Sequence, residues 1–344
     1  MEVKESVKNC YSKVLTTAKD LKTNACCAIE SLPSFQQEIL SEIEPEIKDR
    51  FYGCGAPFPS GLEGAVVLDL GCGSGRDVYM LSKLVGEKGT VIGVDMTKEQ
   101  LAVAKKYQKK QADKFGFSQS NVRFEEGYVE NLSALGIEDD SVDVIVSNCV
   151  INLSPDKPQV FAEMLRVLKP GGELYFSDVF ADRRIPEELR QDEELYGECL
   201  SGALYIEDFR RILQDLGCHD FRIVTSRALK MGTTALEKKV GDIGFFSITV
   251  RAFKLNLEDR CEDYGQVLRY KGGLLGAEHC FVLDDHHIFQ KGVPVLVCGN
   301  TADMLTKSRF SQYFEVFGDK SLHLGLFDCA DEKVNSDKAA PSCC

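Results

Sequence analysis

Between residues 60 and 180, short apolar runs alternate with longer amphipathic stretches. Val66–Leu68, Thr90–Val94, Val122–Glu125, Val142–Ser147 and Glu173–Ser177 read as strands, and the first, a short continuous apolar run, reads as a buried parallel strand. Strands alternating with helical periods predict a doubly wound α/β sheet. Residues 1–50 predict two helices, Val7–Lys19 and Ser34–Arg50, with a break at Pro45. After residue 180 come an amphipathic helix, Tyr205–Leu216, stopped by Gly217, and two more strands, Phe221–Thr225 and Phe245–Phe253. Beyond about Leu257 the elements shorten. Gln266–Tyr270, Cys280–Leu283, Val293–Val297 and Tyr313–Val316 read as strands, and Thr301–Lys307 as a helix capped by Thr301. Residues 330–344 have no apolar period and predict a disordered tail. The expected units are a helical segment (1–50), a nucleotide-binding type of domain (51–256), a small α+β domain (257–329) and the tail (330–344). No internal repeat is visible.

The first strand leads into the segment of densest chemistry, VVLDLGCGSGRD, residues 66–77. Asp69 is followed by Gly71-Cys72-Gly73-Ser74-Gly75, and Asp77 is placed to cap the next helix. Glycines there let the backbone come close to a ligand where a Cβ would collide. The turn lies at the carboxyl end of a strand, where doubly wound sheets bind nucleotides. The G-x-G-x-G spacing, with a carboxylate two residues before the first glycine, suits S-adenosylmethionine, which has no pyrophosphate. The second strand ends in Asp95, an acceptor for ribose hydroxyls, followed by Met96. At this point NAD remains an alternative.

The later strands narrow the choice. The third is followed by Gly127-Tyr128-Val129-Glu130 and the fourth by Asn148-Cys149-Val150-Ile151-Asn152-Leu153; MLRVLKPGG precedes ELYFSD. This arrangement resembles class I S-adenosylmethionine-dependent methyltransferases. The resemblance implies a Rossmann-like seven-stranded sheet with Phe245–Phe253 antiparallel beside Phe221–Thr225. It places Tyr128 and Val129 at the adenine, Asn148 at the methionine end, and Asp69, Gly71, Cys72, Gly73, Asp95 and Met96 in the cofactor wall.

Charge and composition remove other classes. The net charge is −13 over 344 residues, which argues against a phosphate-binding face and hence against a nucleic-acid partner. Lys105, Lys106, Lys109, Lys110 and Lys114 read as a solvated helix face. No transmembrane run or secretory start is seen, so a cytoplasmic protein with no membrane partner is expected. In a reducing compartment, 14 cysteines form a high count. There is no C-x-x-C and no zinc-finger spacing, and His286-His287 reads as a surface strand edge.

Three cysteines fall where the sheet would bind its ligand. Cys54 lies in Tyr52-Gly53-Cys54-Gly55 before the first strand, Cys149 follows the fourth, and Cys199 lies in GECLSG after the fifth. Each could be a small buried apolar residue, but the glycines around Cys54 and Cys199 suit ligand loops. The segments TNAC (23–26), FYGCG (51–55), SNCVINL (147–153) and GECLSGALY (197–205), with VGEKGTVIGVDMTKEQ (85–100), resemble the animal-type arsenite methyltransferase family over nearly the whole chain. The resemblance implies Cys54, Cys149 and Cys199 as thiol ligands of trivalent arsenic, and Cys26 as a redox partner of Cys54. Cys10 and Cys27 are extra thiols.

The implied chemistry is consistent with the residues present. Trivalent arsenic is soft and prefers thiolates, and its lone pair is the nucleophile, so no strong general base is needed and positioning supplies the help. Methylation oxidises arsenic formally, and nearby thiols can return two electrons by closing a disulfide that an external thiol reductant, glutathione or thioredoxin, resets. A monomer is expected. Two rivals stand beside this: a carbon or oxygen methyltransferase acting on a quinone or sterol, and a metalloid-binding protein without turnover. The terminal Cys343-Cys344 is either an idle pair or a tethered arsenic trap.

Overall fold

The computed structural model describes residues 32–51, 53, 55–192, 195 and 199–328. The expected helix Val7–Lys19, Cys10, Cys26, Cys27, Cys54 and the tail lie outside them.

The main sheet is built from β1 (Val66–Leu70), β2 (Thr90–Asp95), β3 (Val122–Glu126), β4 (Val142–Asn148), β5 (Leu168–Ala181), β6 (Leu204–Tyr205), β7 (Phe221–Ala228) and β8 (Phe245–Phe253). Its order is β3-β2-β1-β4-β5-β8-β7, with β6 added beside the end of β5. β1 pairs in parallel with both β2 and β4, and β8 runs antiparallel between β5 and β7. The chain reverses its direction of travel across the sheet between β1 and β4, which opens a crevice at their carboxyl ends. Successive residues of β1 serve opposite faces: Leu68 and Leu70 pack into one core with Ile92, Ile145 and Phe176, while Val67 packs into the other with Val91, Val144 and Val146.

Several sequence expectations change in detail. β5 begins at Leu168, five residues before the expected start, so the KPGG segment itself enters the sheet. Asp77 does not cap its helix. Gly75, at φ 88°, is the N-cap of Arg76–Val85, and Asp77 sits in the first turn. The first described helices are Ser34–Glu42 and Pro45–Asp49, so Pro45 starts a new helix after the break. The lysine-rich face is exposed, as expected, and three of its lysines also make ion pairs with the amino-terminal segment. Lys106 pairs with Glu46 (2.6 Å), Lys110 with Glu44 (2.9 Å) and Lys114 also with Glu44, clamping the amino-terminal helices to the sheet domain.

After β8, the elements β9 (Glu262–Asp263), β10 (Gln266–Tyr270), β11 (Cys280–Val282), β12 (Ile288–Gln290), β13 (Pro294–Val297), β14 (Phe314–Phe317) and β15 (Gly325–Leu326) form three small sheets around the helix Gly299–Thr306. That helix is capped by Cys298, not by Thr301: the Thr301 backbone N–H donates to Cys298 Sγ at 3.5 Å. These elements enclose a core of their own, from Phe253 and Leu257 to Phe310 and Phe314. Buried Glu173 of β5 joins the two cores, ion-pairing with Arg251 of β8 and with Arg309, whose guanidinium also donates to Ser60 O (2.9 Å). The His286-His287 doublet lies in the β11–β12 turn, where His287 Nδ1 and Asp284 Oδ1 are 2.8 Å apart.

Candidate active site

A cleft enclosing about 1050 Å³, counting its open mouth, lies at the carboxyl ends of β1, β2 and β4. Asp69, Gly71, Cys72, Gly73, Asp95, Met96, Tyr128, Val129, Asn148 and Cys149 all line it. The ten cofactor-wall and thiol positions are therefore brought together although they span eighty residues.

The glycine loop is held from within. Gly71 and Cys72 donate their N–H groups to Val94 O (2.8 and 3.0 Å), Gly73 donates to Asp95 Oδ2 (2.8 Å), and Gly75 donates to Cys72 O (2.9 Å). These donors are thus engaged by the fold. The need for glycine is steric: Gly71 sits at φ +73°, and a Cβ there would lie 2.2 Å from Val150. What the loop leaves for a ligand is negative charge. Asp69 Oδ2 is buried with no hydrogen-bond partner among the described residues. Burial, with Asp77 and Asp95 nearby, pushes the Asp69 carboxyl well above the usual carboxylate range. Burial also raises Asp95, although Thr97 N (2.7 Å) and Gly73 N donate to it. An orphaned carboxylate among two more is suited to a ligand that brings positive charge and N–H or O–H donors.

Asn148 ties the lead-in segment over the cleft. Its amide donates to Gly55 O (2.8 Å) and accepts from Gly55 N (3.1 Å), and it also donates to Asp77 Oδ2 (3.1 Å). Asp77 is ion-paired with Arg76 (2.6 Å), whose guanidinium stacks on Phe51. Gly53 lines the cleft, and a Cβ on it would lie 2.4 Å from the Asn148 side chain.

Cys149 lines the cleft, and Cys199, which is not among the lining residues, lies against it. Cys199 Sγ lies 3.6 Å from Cys149 O, and both residues are buried. Each takes a left-handed backbone, φ 56° and 61°; the third non-glycine residue of this kind among those described is Asp140. Left-handed backbone is costly outside glycine and is often held at working sites. Cys149 is disulfide-bonded, whereas Cys199 is a reduced thiol. Cys54 and Cys26 lie outside the described residues. Beneath the two loops, Asn152 donates from Nδ2 to Asp178 Oδ1 (2.7 Å) and to Val179 O (2.6 Å), while its own carbonyl packs on Gly202. Burial pushes Asp178 up to about 6 and Lys157, beside it, down to about 8. Asp178 and Lys157 escaped the sequence reading. Asp178 is a lone carboxylate inside the buried part of β5, between Phe176 and Val179, which is a usable signal; Lys157 offers none.

A parallel sheet of this order, with an acidic glycine-loop cleft at its switch point, defines a class I methyltransferase. The Methyltransferase domain family matches residues 62–217, and the Arsenite methyltransferase C-terminal domain family matches residues 263–341. An arsenite methyltransferase of Aquipseudomonas alcaligenes is 53% identical over 99% of both chains, and that of Homo sapiens is 45% identical over 91% of this chain and 83% of the human one. An arsenic(III) S-adenosylmethionine methyltransferase from Chlamydomonas reinhardtii superposes with a TM-score of 0.84 at 48% identity, covering 87% of this chain and all of that one. The chain belongs to the arsenite methyltransferase family and is an S-adenosylmethionine-dependent methyltransferase.

Proposed function

We propose that this enzyme methylates trivalent arsenic held by its own thiols. The observation that carries the reading is the meeting of Cys149, which lines the cofactor cleft, with Cys199 of a second loop, both in left-handed backbone. The names of its relatives support the same substrate.

S-adenosylmethionine supplies an electrophilic sulfonium methyl when bound. Asp69 would take its ammonium group, with Gly71, Cys72 and Gly73 letting it approach the backbone, Asp95 with Met96 would hold its ribose, and Tyr128 with Val129 its adenine. Asn148 fixes the lead-in segment as a cover that keeps water from the reacting centre. Cys149 and Cys199, with Cys54 as third ligand, hold arsenic so that its lone pair faces the cleft, and no base is required because arsenic carries the electron pair already. Each transfer raises arsenic formally to the pentavalent state. A Cys26–Cys54 couple then returns two electrons by closing a disulfide, which glutathione or thioredoxin reopens. The disulfide at Cys149 supports thiol redox exchange at this site. Such a cycle fits a reducing cytoplasm. No helix among the described residues is long and apolar enough to cross a membrane.

Serine at Cys149 or at Cys199 should abolish arsenite methylation while calorimetric affinity for S-adenosylmethionine is kept. Methylation at near parental rate by either variant would place the arsenic site elsewhere.

A further inference from the structure

The carboxy-terminal core carries a second thiol pair that the catalytic cycle does not use. Cys298 precedes the helix Gly299–Thr306 and is buried, and Cys261, half-buried, lies just before β9. The turn that carries Cys261 docks on this helix start: Glu258 N donates to Asn300 Oδ1 (2.9 Å), the Asn300 amide donates to Glu258 O (2.8 Å), and the Tyr264 ring packs on Gly299. Both thiols are reduced. Around Cys298 Sγ stand Thr301 N (3.5 Å), Thr301 Oγ1 (3.3 Å) and Arg222 Nη2 (3.9 Å), all able to donate to a thiolate. Cys261, then Arg222 and Thr301, pull the Cys298 thiol down to about 5 against the opposing effect of burial. Arg222 comes from β7 of the main sheet and is also paired with Asp220 (2.8 Å) and Asp284 (3.2 Å). A serine or aspartate would cap this helix as well as cysteine does. Sulfur adds what oxygen cannot, affinity for a soft centre.

We propose that Cys261 and Cys298 form a dithiol site for a monosubstituted trivalent arsenical, R–As(OH)₂, separate from the Cys149–Cys199 contact. The docked turn brings Cys261 to the helix start that Cys298 caps, within reach of one bridging arsenic atom, and the half-buried Cys261 provides the point of first attachment. Two As–O bonds break and two As–S bonds form. The hydroxyls leave as two waters, taking one proton from the Cys261 thiol and one from solvent to match the Cys298 thiolate. Arsenic stays trivalent, so no oxidant or reductant is consumed. A species with one carbon and two exchangeable oxygens is what one methyl addition followed by reduction yields; this link to the enzyme's own product rests on the function proposed above, whereas the dithiol chemistry does not. Capture would also neutralise the sulfur that faces Arg222, so occupancy of the site is felt at the contact between the small core and the main sheet.

The test uses the full-length, pre-reduced enzyme with phenylarsine oxide as probe. Mass spectrometry should find a phenylarsenic bridge between the peptides carrying Cys261 and Cys298. Cys298→Ala and Cys261→Ser should each bind one equivalent fewer than the parent. Because Cys298 is a helix cap, the half-buried Cys261→Ser provides the stability control, and S-adenosylmethionine affinity reports that each variant is folded. Equal stoichiometry in parent and variants, or only a disulfide between the two peptides, overturns the proposal. Arsenite methylation is measured in parallel, so that an inactive parent that still forms the bridge would fail the functional reading alone.

Discussion

Asp69 shows most directly how a single side chain is held in a costly state for a ligand. Its carboxylate is buried at the tip of β1, one oxygen lacks a partner among the described residues, and two more carboxylates stand near. A group whose folded-state pKa is raised favours the protonated fold, so the chain loses stability as pH climbs from the ordinary carboxylate range toward the raised value. Asp69→Asn should therefore raise the melting temperature of the cofactor-free enzyme at about pH 7.5, with the gain shrinking toward about pH 4. The same substitution should weaken S-adenosylmethionine binding by about tenfold or more, the loss expected for a charge-assisted acceptor worth about 1.5–3 kcal/mol. Melting curves over this pH range and calorimetric titration check both halves. A stabilised variant with unchanged affinity would remove Asp69 from the cofactor site.

Among the elements, the two thiol-bearing loops depend on a backbone contact. The loop after β4 passes under Cys199 through Asn152, and a Cβ added at Gly202 would lie 2.1 Å from the Asn152 carbonyl oxygen. Backbone cannot yield as a flexible side chain does, so Gly202→Ala must push the Cys199 loop off the Cys149 loop. Arsenite methylation should fall by at least about tenfold, as expected when a small misplacement spoils a reacting geometry, while S-adenosylmethionine affinity, set by β1, β2 and β4, stays within about twofold. A loss of cofactor affinity equal to the loss of rate would mean that the whole sheet edge had moved. The lysine clamp on the amino-terminal helices belongs to this scale as well. Lys110 and Lys114 both reach Glu44, and those bonds hold the Glu44 carboxyl below its usual range.

For the molecule as a whole, the function proposed above gives the Cys149–Cys199 contact, the lead-in segment and the small carboxy-terminal core separable roles. Cys26→Ser should slow turnover on inorganic arsenite more than on an already methylated trivalent arsenical, because the latter has fewer open positions and needs only the Cys149–Cys199 pair. Equal losses on the two substrates, measured side by side, would deny Cys26 a separate role. Removal of residues 331–344 should leave the melting temperature and maximal rate unchanged, since the segment is polar and has no apolar period with which to enter a core. If Cys343-Cys344 captures arsenic, only the rate at low arsenite falls, because a tethered thiol pair raises the local concentration of substrate. A truncated enzyme matching the parent at every arsenite concentration marks the pair as idle.

The apolar runs and the glycine loop were enough to read the sheet and its ligand edge. Period and turn chemistry are local properties, so β1 to β5, β7 and β8 were legible one segment at a time, β1 most directly from its apolar run. The glycine spacing, Asp69 and Asp95 were legible for the same reason: they border strands whose ends define the cleft. Contacts made across the fold were not. That Asp77 leaves its helix cap to meet Arg76 and Asn148, that the lysine face grips Glu44 and Glu46, and that Asp178 with Asn152 underpins both thiol loops all depend on distant segments arriving side by side. The pairing of Cys261 with Cys298 is of this kind too. They stand 37 positions apart, no motif links them, and only the packing of β9 against the start of the helix Gly299–Thr306, with Arg222 brought in from β7, gives the two sulfurs a common environment.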